Sequence, residues 1–299
     1  MKMKFMKIYV VTYKRSDILN DTLKKLFDSD FSKLENTEVT IINNHTDFYL
    51  NPEFMGKVRV FHNKLRPNWS NGNLAENWNQ ALLDGFRDLS KPDAKYVVTL
   101  QNDTSLHPDW SSNLLKMHEN FDFIVGKFGD NVVSYTADAV KKIGIWDENF
   151  FGVQYKEADY WLRALIFNKD KSCINDTLHG IELNNEDALE LDTTIDRNFI
   201  EEDGFKGENT LKRRADDTEH QNIWLTRGGR YKEIAWKYFK TKWSGTWISE
   251  PERKTWVKNW PQELKDSPPC ITKSSQKTII RYIYFEKDIY DLLGKNYLL

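Results

Sequence analysis

The first stretch of chemical interest joins an apolar run to three polar side chains. Residues 96–100 have the pattern of a buried strand, and Gln101, Asn102 and Asp103 follow it directly. Asn and Asp are common turn formers, so the segment could be an Asx-turn ahead of Pro108. Alternatively, strand ends in an open α/β sheet bind ligands, and the Asp103 carboxylate could hold a hard cation such as Mg²⁺ or Mn²⁺. Both interpretations are open at this point.

A second polar cluster stands at the start of an apolar helical pattern over residues 157–167. Glu157 and Asp159 are two positions apart, so on a regular helix their side chains point in different directions. Asp159 and Arg163 have the i, i+4 spacing of an intrahelical ion pair. Acidic residues also stabilise a helix N-terminus, so capping is open beside a catalytic role.

The elements that must position these residues alternate between strand and helix. Strands are predicted over residues 7–12, 38–42, 58–62, 96–100, 123–125, 132–135 and 171–174, and helices over 17–27, 73–89, 137–143 and 157–167, with another from Pro108. This alternation predicts an α/β fold with a mostly parallel sheet and helices on both faces. Polar residues follow three of the strands, from Thr12, Asn43 and Gln101 onward. Ends of parallel strands share one edge, so we expect these side chains to converge on one crevice.

The character of the sequence changes after His179. Residues 182–203 are acidic and weakly periodic, which favours a loop or a lid, and residues 208–260 are polar, basic and rich in Trp. We therefore predict one α/β domain over residues 1–185 and a separate, mainly helical extension over residues 186–299.

Composition and charge narrow the classes of function. A formal net charge of −2 argues against a general nucleic-acid-binding surface. Cys173 and Cys270 have no metal-type spacing and favour no disulfide framework, which predicts a cytoplasmic protein. No apolar run reaches transmembrane length, and peripheral contact with a membrane stays open. The 11 Trp residues offer flat apolar faces that suit sugars as well as a core.

Five stretches, in order, resemble family 2 glycosyltransferases with the GT-A fold. They are VVTYKRSDIL (10–19), TIINNHTD (40–47), NLAENWNQALLDG (73–85), VVTLQNDTSLHPDW (97–110) and KIGIWDENFFGVQYKEADYWLRA (142–164). Together they are similar to the rhamnosyltransferase and galactofuranosyltransferase-like branches. The resemblance implies an inverting hexosyl- or deoxyhexosyltransferase of polysaccharide biosynthesis. Its expected donor is a UDP- or dTDP-sugar, and its acceptor a hydroxyl of a glycan or another glycoconjugate.

The resemblance also implies roles on the donor side. Nucleotide-binding positions are Thr12, Tyr13, Arg15, Asn43, Asn79, Gln101 and Asn102. Gln101 to Asp103 take the place of the family's Asp-x-Asp motif, and Gln101 departs from it because an amide brings no charge to a metal. Asp103, together with His179, is the expected ligand set for Mn²⁺ or Mg²⁺. Several of these positions also have a structural interpretation. Asn43 and Asp103 would then belong to simple turns, Asn79 would be an exposed helix residue, and His179 would be an ordinary surface histidine.

On the acceptor side, Glu157 takes the place of the residue usually assigned as general base, with Asp159 as a second catalytic-site residue. Trp146 and Asp147 lie where the family has an acceptor-flanking loop. Lys242 and Trp243 resemble a Lys-Trp-Gly-Gly stretch in which Ser244 replaces a Gly. The structural alternatives are a loop packed by aromatics for residues 146–151 and a solvated basic helix face for residues 238–245.

Two other classes of function stay open. A non-catalytic nucleotide- or glycan-binding module on the same fold is favoured by Gln101, because fold alone does not decide function. A nucleotidyltransferase would need a Gly-rich phosphate loop after the first strand, and residues 12–16 contain no Gly.

Overall fold

The fold is built on a single mixed sheet. A computed structural model of the 299-residue chain describes residues 3–13, 15–63, 74–126, 129–150, 155–176, 181–184 and 239. Within these residues the strands are β1 (Lys4–Thr12), β2 (Thr37–Asn43), β3 (Val58–His62), β4 (Ala94–Gln101), β5 (Phe123–Val125), β6 (Val132–Tyr135), β7 (Ser172–Asp176) and β8 (Ile181–Leu183). Their order across the sheet is β3-β2-β1-β4-β6-β5-β7-β8.

The directions of the strands bring several loops to one edge. β1 pairs in parallel with β2 and β4, and β2 with β3, so that Thr12 lies opposite Asn43 and Val11 opposite Gln101. β6 runs antiparallel to both β4 and β5. The start of β6, rather than its end, therefore reaches the carboxyl edge of β1, β2 and β4, and it brings Asp130 there.

Helices cover both faces of the sheet, as the alternating pattern predicted. They are α1 (Ser16–Asp28), α2 (Leu74–Phe86), α3 (Trp110–Met117), α4 (Ala137–Ile143) and α5 (Lys156–Phe167). One apolar cluster joins alternate residues of β1 to α2, α4 and α5, and includes Tyr9 and Trp78. The other joins the intervening residues of β1 to α1 and α3, and includes Ile8 and Leu19. Side chains alternate across a strand, which explains why β1 contributes to both clusters.

The predicted α/β fold with a mostly parallel sheet is confirmed, and most element bounds lie close to the predicted ones. The bounds of β3, β5, β6 and α4 coincide with the prediction. α3 begins at Trp110 because Pro108 and Asp109 form a turn ahead of it. β8 was not predicted: it occupies the beginning of the stretch interpreted as a loop, and a strand of three residues carries no detectable periodicity.

Beyond residue 184 the structure describes Phe239, so the two-domain division and the helical extension stay predictions. None of the helices in the described part of the chain is long and apolar enough to cross a membrane.

Candidate functional site

Polar side chains from β1, β2 and β4 are joined directly at the carboxyl edge of the sheet. Asn102 Nδ2 donates to Thr12 Oγ1 at 3.1 Å, which links the end of β4 to β1. The backbone N–H of Asn44 donates to the Thr12 carbonyl at 3.1 Å, and Asn63 Nδ2 donates to Asn44 Oδ1 at 3.1 Å. The strand ends from β1, β2 and β4 therefore converge as expected.

Asn43 shapes the loop that follows β2. Its Oδ1 accepts from the His45 backbone N–H at 3.1 Å, and its Nδ2 donates to the His45 carbonyl at 2.7 Å and lies 3.1 Å from His62 Nδ1. Both ends of the buried amide are thus used within the protein. The ring of Tyr13 meets the His45 ring edge-on, with centroids 5.1 Å apart. Asn43 thereby fixes His45 beside Tyr13.

Arg15 is held at the same edge by a paired contact at the start of α1. Its Nε lies 2.9 Å from Asp17 Oδ1, and its Nη2 lies 2.6 Å from Asp17 Oδ2. The hydrogen bonds from Arg15 lower the pKa of the Asp17 carboxyl despite its partial burial. The Arg15 side chain keeps 31% exposure, so it is partly open to solvent.

The segment after β4 is supported from both sides. Thr22 on α1 donates its hydroxyl to the Asn102 carbonyl at 2.5 Å, and Thr104 Oγ1 donates to the Asn131 carbonyl at 3.1 Å. Gln101 Nε2 donates to Asp130 Oδ1 at 2.9 Å, so the amide is directed into the protein. Asp103 is the half-buried carboxylate of this segment.

A buried ion cluster lies next to Gln101 and contains the predicted general base. Lys156 Nζ lies 3.0 Å from Asp130 Oδ2 and pairs with Glu157 Oε1. Trp78 Nε1 also donates to Asp130 Oδ2, at 2.7 Å. The side chains of Lys156, Glu157 and Asp130 are 0%, 5% and 6% exposed. Burial disfavours the ammonium, but the Asp130 and Glu157 carboxylates outweigh it and raise the pKa of Lys156, which is therefore charged.

Asp176 flanks the same loop from β7. Its Oδ1 accepts from the Gly129 backbone N–H at 3.2 Å, and its Oδ2 accepts from Trp161 Nε1 at 2.8 Å. Asp130 thus accepts the indole N–H of Trp78, and Asp176 accepts that of Trp161. Two buried carboxylates and two Trp residues fix the entry to β6 beside the end of β4.

Asp159 and Arg163 form the predicted i, i+4 pair, but in the core. Asp159 Oδ2 lies 3.1 Å from Arg163 Nε and 2.9 Å from Nη2, and Arg163 Nη1 donates to the carbonyls of Ile143 and Ile145, both at 2.8 Å. Asp159 has no exposed surface. Asp159 holds Arg163, and Arg163 in turn holds the loop after α4. The Asp159 carboxylate is buried and bound to Arg163, and its expected place among the catalytic residues stays a prediction.

The loop at residues 146–148 is held by Asn79 of α2. Asn79 Oδ1 accepts from the Trp146 N–H at 2.7 Å, and Nδ2 donates at 2.8 Å to the Trp146 carbonyl and to Glu148 Oε1. Asp147 Oδ1 accepts from the Asn149 N–H at 3.0 Å and from Asn149 Nδ2 at 2.7 Å, which closes a turn. Asn79 thus acts on this loop, although the resemblance implied a place near the nucleotide.

Trp146, which the resemblance placed on the acceptor side, is packed in the core instead. Its ring has no exposed surface, stacks on Tyr160 with centroids 4.4 Å apart, and donates from Nε1 to the Tyr135 hydroxyl at 3.1 Å. Asp147 is likewise buried in its turn. Glu148, which is half-buried, is the carboxylate of this loop with exposed surface.

A divalent metal would find few protein ligands in the described part of the site. These residues contain no group of three His, Cys, Asp or Glu side chains arranged to hold an ion. Both oxygens of Asp130 and of Asp176 already accept hydrogen bonds. Asp103 stays the ligand that the sequence predicts, and one carboxylate completed by phosphate oxygens and water is a common Mg²⁺ arrangement. The other predicted ligand, His179, and the predicted acceptor residues Lys242 and Trp243 lie outside the described residues.

Comparisons with known proteins give distant structural similarity. No protein-family model and no curated protein match the sequence. The chain is similar to Staphylococcus aureus TarS 1–349 in complex with UDP, at 12% identity and a TM-score of 0.43, over 100% of this chain and 91% of that one. It spans 55% of a longer TarS chain.

Two further similarities are of the same kind. A mannosyltransferase from Pyrobaculum calidifontis in complex with GDP-Man and Mn²⁺ matches at 10% identity and a TM-score of 0.40, over 98% of this chain and 88% of that one. Glucosyl-3-phosphoglycerate synthase from Mycobacterium tuberculosis, in complex with Mn²⁺, UDP and glucosyl-3-phosphoglycerate, matches at 11% identity and a TM-score of 0.39. The match covers 56% of this chain and 68% of that one. Since all these TM-scores are below 0.5, the function is inferred from the site's own residues.

Proposed function

We propose that this protein is a GT-A-type glycosyltransferase that moves a sugar from a nucleotide-diphosphate sugar to a hydroxyl acceptor. One observation carries the proposal: the crevice at the strand ends is joined, through Gln101 and Asp130, to a buried, ion-paired carboxylate, Glu157. Sugar transfer needs a nucleotide site and a proton acceptor side by side. The ordered resemblance to family 2 glycosyltransferases supports the same reaction.

On the donor side, the nucleotide is proposed to lie along the ends of β1, β2 and β4. Tyr13, fixed against His45, offers an aromatic face to the base, and Arg15 offers a guanidinium to ribose or phosphate. Thr12 and Asn102 are bonded to each other and line the same edge. Asn43 contributes by holding His45 in position. UDP and dTDP are the nucleotides that we expect to bind.

The departing diphosphate is proposed to meet a divalent ion on Asp103, with His179 as the second ligand. When bound, Mn²⁺ or Mg²⁺ supplies Lewis-acid neutralisation of the leaving group. Gln101 donates to Asp130 and brings no charge to the ion. Asp103 therefore carries the metal-dependent part of donor binding in this proposal.

Glu157 is proposed to accept the proton of the acceptor hydroxyl. In a single displacement the acceptor oxygen bonds to the anomeric carbon as the bond to the diphosphate oxygen breaks, and the proton moves to the carboxylate. Attack from the face opposite the leaving group inverts the anomeric centre. Glu148, held by Asn79, and Lys242 and Trp243 are the residues proposed to contact the acceptor.

Calorimetry with UDP, dTDP and GDP, each with and without Mn²⁺, tests the donor site. We expect one nucleotide to bind in a metal-dependent manner, and Asp103→Asn to weaken binding at least tenfold. Glu157→Gln should bind that nucleotide like wild type while release of nucleoside diphosphate from the matching sugar donor falls by roughly 10²- to 10⁴-fold. If none of the three nucleotides binds under any condition, the transferase proposal is wrong.

A non-catalytic nucleotide-binding module is the second candidate, because Gln101 replaces a carboxylate and is engaged by Asp130. Such a module would bind nucleotide, but release of nucleoside diphosphate would be the same in wild type and in Glu157→Gln. A nucleotidyltransferase is third, since residues 12–16 contain no Gly for a phosphate loop.

A further inference from the structure

We propose that Lys156 is the internal counter-ion of this site, holding the Glu157 carboxylate ionised and in place and joining it, through Asp130, to Gln101 at the end of β4. The inference rests on the proposed function, in which Glu157 accepts a proton. Lys156 and Asp130 are then positioning residues, since they act through Glu157.

The contacts form a continuous path between the two sides of the site. Gln101 Nε2 donates to one oxygen of Asp130 at 2.9 Å, and Lys156 Nζ lies 3.0 Å from the other. Lys156 also pairs with Glu157 Oε1. No exposed side chain intervenes, so a shift at the strand end is transmitted by direct contacts to the proposed base.

The electrostatics of burial make Lys156 indispensable to this arrangement. Two carboxylates that share a buried space cannot both stay ionised without a cation, because like charges raise each other's proton affinity. Lys156 is fully buried and lies in direct contact with both carboxyl groups. Removing one member of a buried ion pair leaves an uncompensated charge in a medium that solvates it poorly.

Neighbouring elements bring further titratable groups. On β7, Asp176 is bonded to Trp161 and Gly129. On β6, burial raises the pKa of the Tyr135 hydroxyl far above neutrality, with Tyr160 and Asp130 adding to the effect, so Tyr135 is uncharged. Asp103 follows β4 two residues after Gln101. Asp176, Tyr135 and Asp103 carry no positive charge, whereas Lys156 contacts both Asp130 and Glu157 directly.

The same geometry explains why an amide suits position 101. Gln101 satisfies Asp130 Oδ1 as a neutral donor. A carboxylate there would be an acceptor facing an acceptor, and would compete with Glu157 for Lys156. The departure from the Asp-x-Asp pattern and the buried lysine are thus two parts of one arrangement.

Charge removal and charge balance test the inference. Nucleoside diphosphate release would be measured from UDP-glucose, UDP-galactose, UDP-N-acetylglucosamine, dTDP-rhamnose and GDP-mannose, across pH, using the donor that wild type turns over. Lys156→Met should lower kcat about 100-fold or more, leave donor KM within about threefold, and move the acid limb of the rate profile up by about one pH unit. Lys24→Met, at an exposed i, i+4 pair on α1, is the control and should change none of these.

Two further variants separate positioning from packing. Asp130→Asn removes the carboxylate that competes with Glu157 for Lys156 and should move the acid limb down. The double variant Lys156→Met/Asp130→Asn removes both opposite charges and should recover at least tenfold of the loss in kcat. An acid limb that stays at the wild-type position in the single variants, or a double variant worse than Lys156→Met, would overturn the inference.

A measurement that needs no turnover separates this inference from the proposed function. The ¹³C resonance of the Glu157 carboxyl, assigned by its loss in Glu157→Gln, would be titrated in wild type, Lys156→Met and Asp130→Asn. We expect a higher midpoint than wild type in Lys156→Met and a lower one in Asp130→Asn, which gives a second result if the first variant fails to fold. Equal midpoints would refute the counter-ion role. Failure to turn over any donor, with the midpoints shifted, would refute only the proposed enzyme activity.

Discussion

Among single residues, Asn79 shows how one buried amide can fix a whole loop. It satisfies the N–H and the carbonyl of Trp146 and also reaches Glu148. Asn79→Ala would leave both backbone groups buried without these partners, so we expect the free energy of unfolding to fall by about 2–3 kcal/mol. Urea denaturation measures this loss. Leu83→Ala, at a half-exposed position of the same helix, should cost less than about 1 kcal/mol, and equal losses would contradict the role of Asn79.

His118 gives the protein a defined pH dependence of stability. Its Nδ1 faces the Phe121 carbonyl at 2.9 Å, its Nε2 lies 2.7 Å from Ser134 Oγ, and its ring stacks on Tyr96. Burial lowers the pKa of His118 to about 4, from an ordinary value of 6.5. Between these values the unfolded chain binds a proton that the folded protein excludes. The stability that the neutral His118 contributes should therefore be fully present above pH 6.5 and decline by roughly 3 kcal/mol as the pH falls to 4.

Urea denaturation at pH 7 and pH 5 checks this prediction. The difference in unfolding free energy between the two pH values should shrink in His118→Gln, which does not titrate. Ser134→Ala removes one partner of the ring but keeps the imidazole, so it should retain most of the pH dependence. If His118→Gln keeps the full wild-type difference, another group is responsible for it.

A site residue was predictable where its role depends on neighbouring residues in the sequence, and not where it depends on contacts between distant elements. The Asp159–Arg163 pair is encoded by spacing along one helix, and Gln101 to Asp103 by the end of an apolar run. Lys156 and Asp130 carry no such local signal, because their pairing depends on how α5 and the start of β6 pack together. The burial of Trp146 is equally a tertiary property: a Trp in a polar loop has the same sequence pattern whether it faces a sugar or the core.

Among the elements, the end of α4 depends on a glycine for two reasons. Gly144 has φ +86°, and a Cβ there would lie 3.3 Å from Arg163 Nη1. Gly56 has φ +79° with no atom near the corresponding position. Both Ala substitutions should cost about 1–3 kcal/mol from backbone strain, with the larger cost at Gly144, whose ψ of −168° belongs to a region that is essentially restricted to glycine. Gly144→Ala should cost about 1 kcal/mol more, because Arg163 holds the carbonyls of Ile143 and Ile145 and cannot move freely.

Thermal or urea unfolding of the two Ala variants measures this difference directly. If Gly144→Ala and Gly56→Ala destabilise the protein equally, the backbone conformation alone requires glycine, and the contact with Arg163 adds no strain. A larger loss at Gly144 that persists when Arg163 is shortened to Lys would come from the backbone conformation rather than from Arg163.

The order of elements was more predictable than the direction of every strand. Clear turn residues delimit β3 and α4, and helical spacing identified α1, α2 and α5. The reversal of β6 between β4 and β5 was not predicted, because three or four residues of β-pattern carry no information on direction. That reversal is what brings Asp130 to the site. The missed strand direction and the missed site residue therefore have one cause.

At the scale of the whole molecule, Phe239 joins the apolar cluster that packs β1 against α2, α4 and α5. Phe239 is 1% exposed, and its ring lies 6.3 Å from Phe150 and 5.7 Å from Tyr155, the residue that directly precedes Lys156. Tyr155 has φ +70°, a conformation that needs support from its surroundings. A side chain from the predicted extension thus packs against the entry to the helix that carries Glu157.

The proposed domain division predicts that residues 1–185 unfold as a cooperative unit, with reduced stability. The fragment should lose about 3 kcal/mol relative to the full chain, because the contacts of Phe239 are gone. Full-length Phe239→Ala is the matched variant and should lose a similar amount in urea denaturation. A fragment without a cooperative transition would contradict the division, since the extension would then belong to the same folding unit. If Phe239→Ala is as stable as wild type while the fragment is weakened, the extension must stabilise the sheet domain through other residues.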